Sequence, residues 1–385
     1  MNRKEIAILI FIVIAQFMCT SLWFAGNAVL PQLAVNLSIS SAEMGWMTSS
    51  VQFGFIIGTL FYAFFTIADR FNASTVFLLS ALLGAVANGL ITFQYSYFGI
   101  LVFRFLTGFF LAGIYPVGMK IASDHFEKGL GRAMSFLVGA LVLGTALPHL
   151  LAAFDQTLDW KIVFYVTSGL ATLGGLIIKL FVGEGPFQKK IQSPNFGDIA
   201  LVFKKKPFRA AAFGYFGHMW ELYAFWAFVP IMLKTQGQLS SYPETGISMR
   251  SFAVIGLGSI ACAFGGFLSE RFGTKKMATR FLLFSGICCL FSPFAFGFPR
   301  PLFLAYMIFW ALTVIADSPL FSTLVAQHAN QEIKGTAITI VTSIGFAITI
   351  VSIQLLSFMK QLLPPDKIYL LLVVGPLFGL LALRK

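Results

Sequence analysis

Apolar runs of about 20 residues alternate with short polar breaks along the whole chain, at 6–30, 44–68, 73–93, 97–121, 131–154, 160–181, 208–233, 247–269, 277–296, 301–327, 335–359 and 367–383. A run of that length crosses the hydrocarbon of a bilayer as one helix, because lipid leaves every backbone amide to be satisfied inside its own segment. The pattern predicts an all-α integral membrane protein with twelve transmembrane helices. The first run follows Arg3 and Lys4, but its apolar core is too long for a cleaved signal and it reads as retained. The extended polar stretch at 183–206, rich in Gly, Pro and Lys, divides the runs six and six. It predicts an N-terminal bundle at 1–182, a linker at 183–206 and a C-terminal bundle at 207–385.

The two halves echo one another. Thr66-Ile67-Ala68-Asp69-Arg70-Phe71 returns as Phe267-Leu268-Ser269-Glu270-Arg271-Phe272, 201 residues later. Pro31 and Pro230 are 199 apart, Tyr115-Pro116 and Ser318-Pro319 are 203 apart, as are His125 and His328, and Gly131-Arg132-Ala133 precedes Gly335-Thr336-Ala337 by 204. A repeat of this length in a membrane chain predicts two pseudo-symmetric bundles.

Composition agrees, with 58% hydrophobic residues, 11% charged and 45 Phe. The formal charge of +12 invites a nucleic-acid reading, which the placement of the cations removes. With the amino terminus inside, 20 of the 27 Lys and Arg fall on the cytoplasmic side, six (Lys161, Lys234, Arg250, Arg300, Lys360 and Lys367) on the other, and Arg104 inside a span. That bias puts both termini in the cytoplasm, and Lys204-Lys205-Lys206 reads as a topology anchor near anionic headgroups. The cysteines Cys19, Cys262, Cys288 and Cys289 lie in apolar runs without zinc or disulfide spacing and read as packing residues.

The duplicated turn, the six-plus-six organisation and the basic linker together resemble the major facilitator superfamily of transporters, over essentially the whole chain. Gly266-x-x-x-Glu270-Arg271-Phe272-Gly273-Thr274-Lys275-Lys276 matches that family's loop pattern, whereas the first copy has Phe65 and Asn72 where the pattern has Gly. Arg104-Phe105-Leu106-Thr107-Gly108 is similar to its membrane-embedded Arg motif, often linked to proton coupling, and Lys128-Gly129-Leu130-Gly131-Arg132-Ala133-Met134 to its loop before the fifth span. Gly139, Gly144 and Pro148 are similar to its antiporter motif but lack Pro directly after the second Gly, and Gly at such spacing also serves close helix packing.

Deep inside the spans, Arg104, His218, Glu221 and Asp317 stand out, since a charge at mid-membrane costs about 2.5–3.5 kcal/mol on insertion scales and is expected to face a cavity or a partner. His218 and Glu221 share a helical face, continued by Phe225, and form a candidate proton-responsive pair. Asp317 precedes Ser318-Pro319, where Pro removes a backbone bond and kinks the tenth span. Arg104 is expected to pair with an acid or to hold a substrate carboxylate. In the first span Gln16, Thr20, Trp23 and Asn27, spaced four, three and four, predict a polar stripe that reads substrate, with interhelical bonding as the plainer account. His218, Glu221, Phe225, Tyr115, Trp310 and Thr313 are further substrate candidates, and Glu221, Asp317, His218 and Arg104 are expected to carry the proton coupling. Asp69, Arg70, Arg132, Glu270 and Arg271 are expected to form a cytoplasmic latch.

The expected function is secondary active transport of a small polar or organic-anion solute by alternating access, as proton symport in a bacterial inner membrane. A proton-coupled antiporter or exporter is the alternative, and a membrane sensor or membrane enzyme a remote one. No Gly-x-x-x-x-Gly-Lys-Ser/Thr run supports ATP drive. The expected partners are solute, protons and lipid, with no cofactor, metal or nucleic acid, and the expected state is a monomer.

Overall fold

A computed structural model of the chain describes residues 3–37, 43–94, 96–126, 130–154, 159–187, 203–240, 246–329 and 334–384, without the side chains of Leu37, Met44, Asp69, Lys334, Gly335 and Thr336. The expectations for Lys128, Gly129 and most of the 183–206 linker, and for the side chains of Asp69, Lys334, Gly335 and Thr336, therefore lie outside the described residues. The chain forms two compact units, Met1–Asn195 and Phe196–Lys385.

Among the described residues the secondary structure is helical throughout, and each apolar run of the sequence corresponds to one helix or one interrupted helix. Nine are long and apolar enough to cross a membrane, and Ile368–Arg384 is a shorter apolar segment. The other two differ for separate reasons. The first run breaks into Arg3–Thr20, Ala25–Ala28 and Leu30–Leu37. The seventh is one continuous helix, Lys206–Leu239, which carries His218 and Glu221 within its apolar stretch.

The fourth and tenth spans are interrupted at matching places, Tyr97–Leu111 with Tyr115–His125 and Arg300–Ala316 with Ser318–His328. In each, Pro lies in the first turn of the second piece, where its missing N–H costs nothing because that position has no intrahelical acceptor. Asp317 is the hinge residue of the tenth span and Phe321 N donates to its carbonyl at 2.9 Å.

The duplicated turn uses two solutions to one problem. Its second copy passes through Gly273 at φ 90°, whereas in the first copy Thr66 takes the left-handed conformation at φ 49°. Asn72, standing where the second copy has Gly273, instead caps the third span by accepting from Thr75 N at 2.9 Å.

Within the first unit the second and fourth spans approach at backbone contact. A Cβ at Gly54 would collide with Phe105 O, and one at Gly108 with Val51 O. Helices in lipid associate through such close packing because no hydrophobic force separates them from the solvent. Gly108→Leu is therefore expected to remove monodisperse protein from size-exclusion chromatography in detergent, while Gly131→Ala, whose Cβ would meet nothing within 4 Å, should leave the elution peak unchanged.

Candidate functional site

The break in the first span leaves backbone carbonyls without helical partners, and Arg104 of the fourth span takes them. Its Nη1 donates to Leu22 O at 3.0 Å and to Asn88 Oδ1 at 3.4 Å, and its Nη2 donates to Trp23 O. The guanidinium is fully buried. Within its own unit, the two-nitrogen fork of Arg104 is spent on the unwound turn at 21–24. Asn88, whose neutral amide carries no charge to mark it in the sequence, continues the link by donating to Phe164 O, Thr167 Oγ1 and Ser168 Oγ of the sixth span at 3.0–3.2 Å.

The same break splits the first-span stripe. Gln16 lies with its amide oxygen against Gly118 of the fourth span, and Thr20 lies against Gly144 of the fifth. Thr20 Oγ1 donates back to Gln16 O at 2.8 Å, the intrahelical bond of a packed threonine. Beyond the break the direction changes. Trp23 packs on Phe55 of the second span with ring centroids 4.8 Å apart, and Asn27 Nδ2 donates to Thr48 Oγ1. The stripe is therefore two faces, and Gly144 serves the close crossing of the fifth span against the first.

Thr48, Gln52, Phe55 and Thr59 repeat the four, three, four spacing of the first-span stripe. That spacing was the available signal for Gln52, a fully buried amide with no hydrogen-bond partner at Oε1 or Nε2 among the described residues. His149 in the fifth span is also buried with Nε2 unpartnered among the described residues, and joins Arg104, His218, Glu221 and Asp317 as a titratable or cationic group deep inside a span.

In the second unit, His218 and Glu221 share a helix face as expected but do not pair with each other. Glu221 Oε1 accepts from Trp310 Nε1 at 2.6 Å and from Cys289 Sγ at 3.3 Å, while Oε2 accepts from Ser285 Oγ at 2.9 Å. The carboxyl is enclosed between the seventh, ninth and tenth spans. Cys289 is thus more than a packing residue, whereas Cys19 and Cys262 rest on the carbonyls of Ala171 and Ile315. His218 Nδ1 lies 2.9 Å from Asp317 Oδ1 without hydrogen-bond alignment, and its ring stacks on Phe321 at 5.9 Å. All three polar side chains are fully buried.

Of the remaining candidates, Phe225 packs on the Trp310 ring at 4.9 Å, and Thr313 Oγ1 donates within its own helix to Trp310 O at 2.9 Å. Tyr115 is half-buried at the start of the second piece of the fourth span. Arg70, Arg132, Glu270 and Arg271 are exposed and form no ion pair among the described residues; Arg271 lies over the Phe272 ring at 5.3 Å.

The repeat clarifies the asymmetry. At an offset of 203, the counterpart of Arg104 is Met307. The half that has the Arg has a broken first helix, and the half that lacks it has the continuous seventh helix with an acid instead.

The family model described as Major Facilitator Superfamily matches residues 12–353. Uncharacterized protein Cj0987c of Campylobacter jejuni is 26% identical over 296 residues, covering 75% of this chain and 88% of that protein. The bicyclomycin resistance protein homolog of Haemophilus influenzae is 23% identical over 356 residues, covering 86% and 83%. The crystal structure of a bacterial homolog of the human lysosomal transporter Spinster, inward-facing and unoccupied, aligns with a TM-score of 0.72 at 14% identity, covering 100% of this chain and 96% of that one. That likeness concerns the fold. With helices sized for a bilayer, a duplicated six-span plan and a family match over most of its length, the chain belongs to the Major Facilitator Superfamily of membrane transporters.

Proposed function

We propose that the chain is a proton-coupled secondary transporter of a small polar solute, working by alternating access between a bundle at 1–182 and one at 207–385. In this reading it is a monomer in a bacterial inner membrane, its termini and linker are cytoplasmic, and the solute leaves chemically unchanged. The observation that carries the proposal is the enclosed acid cluster of the second unit, Glu221 with three side-chain donors and Asp317 beside His218. A protein keeps ionisable groups at mid-membrane when they do work, because they oppose insertion. A carboxyl that can be neutralised by a proton crosses the membrane interior more readily than a fixed charge, which makes Glu221, Asp317 and His218 the proton path. Arg104 supports the first-span break in this scheme, so the organic-anion form of the reading loses its buried cation. The exposed turn residues Arg70, Arg132, Glu270 and Arg271, together with Asp69, form the latch of another conformation.

Direction is read as uptake with protons. A second reading, proton-driven export, is favoured by the relative named for bicyclomycin resistance, which aligns with most of the chain. One experiment separates them. The protein is reconstituted in liposomes loaded with a pH-reporting dye, and amino acids, organic acids, neutral amides and organic cations are added outside in turn. Acidification of the lumen with solute entry is the expected result; alkalinisation of the compartment that receives solute establishes exchange instead. Accumulation of unchanged solute with no pH response removes protons from the mechanism, and chemical conversion of the solute ends the transport reading.

A further inference from the structure

The first unit holds an unassigned hydrogen-bonding position. Asn27 Nδ2 binds Thr48 Oγ1 and the Trp23 ring packs on Phe55, so these contacts fix the antiparallel register of the first two spans. Gln52 lies one helical turn from Thr48 and one from Phe55, which places it between the two contacts, opposite the Trp23–Asn27 turn. Its whole amide is buried with neither atom hydrogen-bonded, and Asn27 Oδ1 is in the same condition. A buried amide left unsatisfied costs about 1–3 kcal/mol, and such a group in a folded protein calls for an explanation.

The geometry points to Gln52, with Asn27 Oδ1, as the polar end of a solute subsite beside the packed Trp23–Phe55 ring pair, taking an uncharged planar solute with an amide-type donor–acceptor edge. Gln52 supplies two N–H donors and a carbonyl acceptor, and Asn27 Oδ1 supplies a second acceptor. An amide edge on the solute meets both kinds of group at once, whereas a carboxylate meets two repelling acceptors and an ammonium leaves the Gln52 donors unmet. The cation at this level, Arg104, has both terminal nitrogens on the Leu22 and Trp23 carbonyls and only Nε without a partner among the described residues, so it offers an anion no two-nitrogen fork. The neighbouring Trp23–Phe55 pair offers such a solute an aromatic edge to pack on. The inference rests on the transport reading for its purpose but not for its test.

The test uses the full chain in nanodiscs and isothermal calorimetry with three probes of one shape, benzamide, benzoate and benzylamine. Wild type is expected to bind benzamide in preference to both charged probes. Gln52→Met, which keeps the length of the side chain and removes its polar atoms, should weaken benzamide by about tenfold or more while the thermal unfolding midpoint stays level or rises, since an unsatisfied buried group has been removed. Gln52→Glu should move the preference toward benzylamine, and it keeps the question open to measurement if the Met variant does not fold. Equal benzamide affinity in wild type and Gln52→Met, a preference for a charged probe in wild type, or no binding of any probe at about 10 mM, where a ligand of this size registers at modest efficiency, overturns the assignment. Binding needs no proton gradient. Solute-dependent pH change with no role for Gln52 therefore sinks the subsite alone, and amide binding without any flux sinks the transport reading alone.

Discussion

Glu221→Gln is expected to abolish uptake driven by a pH gradient while the protein remains folded. The replacement keeps the shape and the accepting oxygen, so Trp310 Nε1 and Cys289 Sγ retain their partner. At the other atom an NH2 now faces Ser285 Oγ. That hydroxyl already has Leu282 O as a second acceptor at 3.1 Å, so it can turn its proton there and accept from the amide. Trp310, Cys289 and Ser285 all keep partners and only the second N–H of the new amide is left without one, so the unfolding midpoint should move little. What is lost is the proton. The gradient-driven rate should fall by about a hundredfold, the lower end of what a positioned acid–base group supplies, and substrate counterflow without a gradient should persist. Initial rates with and without an imposed gradient check this, and retention of full proton dependence removes Glu221 from the mechanism. Glu221→Ala is a different case: it leaves the Trp310, Ser285 and Cys289 donors facing an apolar gap and should lower stability as well as coupling.

Arg104→Leu is expected to destabilise the first unit before it affects any coupling. It strips the Leu22 and Trp23 carbonyls of their donors at a turn where the helix has none to offer. Loss of charge-assisted bonds together with orphaned buried carbonyls costs on the order of 3 kcal/mol. The expected readout is a clear fall in the thermal unfolding midpoint and in the yield of monodisperse protein. Arg104→Lys should recover part of this, because an ammonium is a single point of charge and cannot span two carbonyls with a rigid fork. The Lys protein that folds should keep its proton dependence. An Arg104→Leu protein with the wild-type midpoint and no proton coupling would instead return the residue to the coupling machinery.

The two substitutions show how unevenly the site could be read from the chain. Arg104, His218, Glu221 and Asp317 stand out because a charge within an apolar run is conspicuous in one dimension. Their partners do not. Ser285, Cys289 and Trp310 are ordinary residues of other spans until the fold sets them around Glu221. The shared face of His218 and Glu221 is a true property of the helix, yet one side chain turns to Asp317 and the other to the ninth span, since a face about one turn wide still spans two neighbours. The first-span stripe presents a different difficulty. Periodicity assumes an unbroken helix, and the turn at 21–24 redirects Trp23 and Asn27 away from Gln16 and Thr20. Gln52 was legible by the same spacing rule, but an amide in a long run draws less notice than a charge.

The linear chain by itself determined the membrane class, the helical content, the duplicated plan and the proline-marked interruption of the tenth span, because lipid thickness, amide satisfaction and the missing proline N–H act locally on each segment. Only the tertiary structure decided that Arg104 supports a broken helix, that Glu221 and Asp317 have separate partners and that Gln52 stands unsatisfied between Thr48 and Phe55. Those outcomes depend on the rotation and register of one helix against another, which are set by packing contacts such as Gly54 against Phe105 and Gly108 against Val51, between residues far apart along the chain.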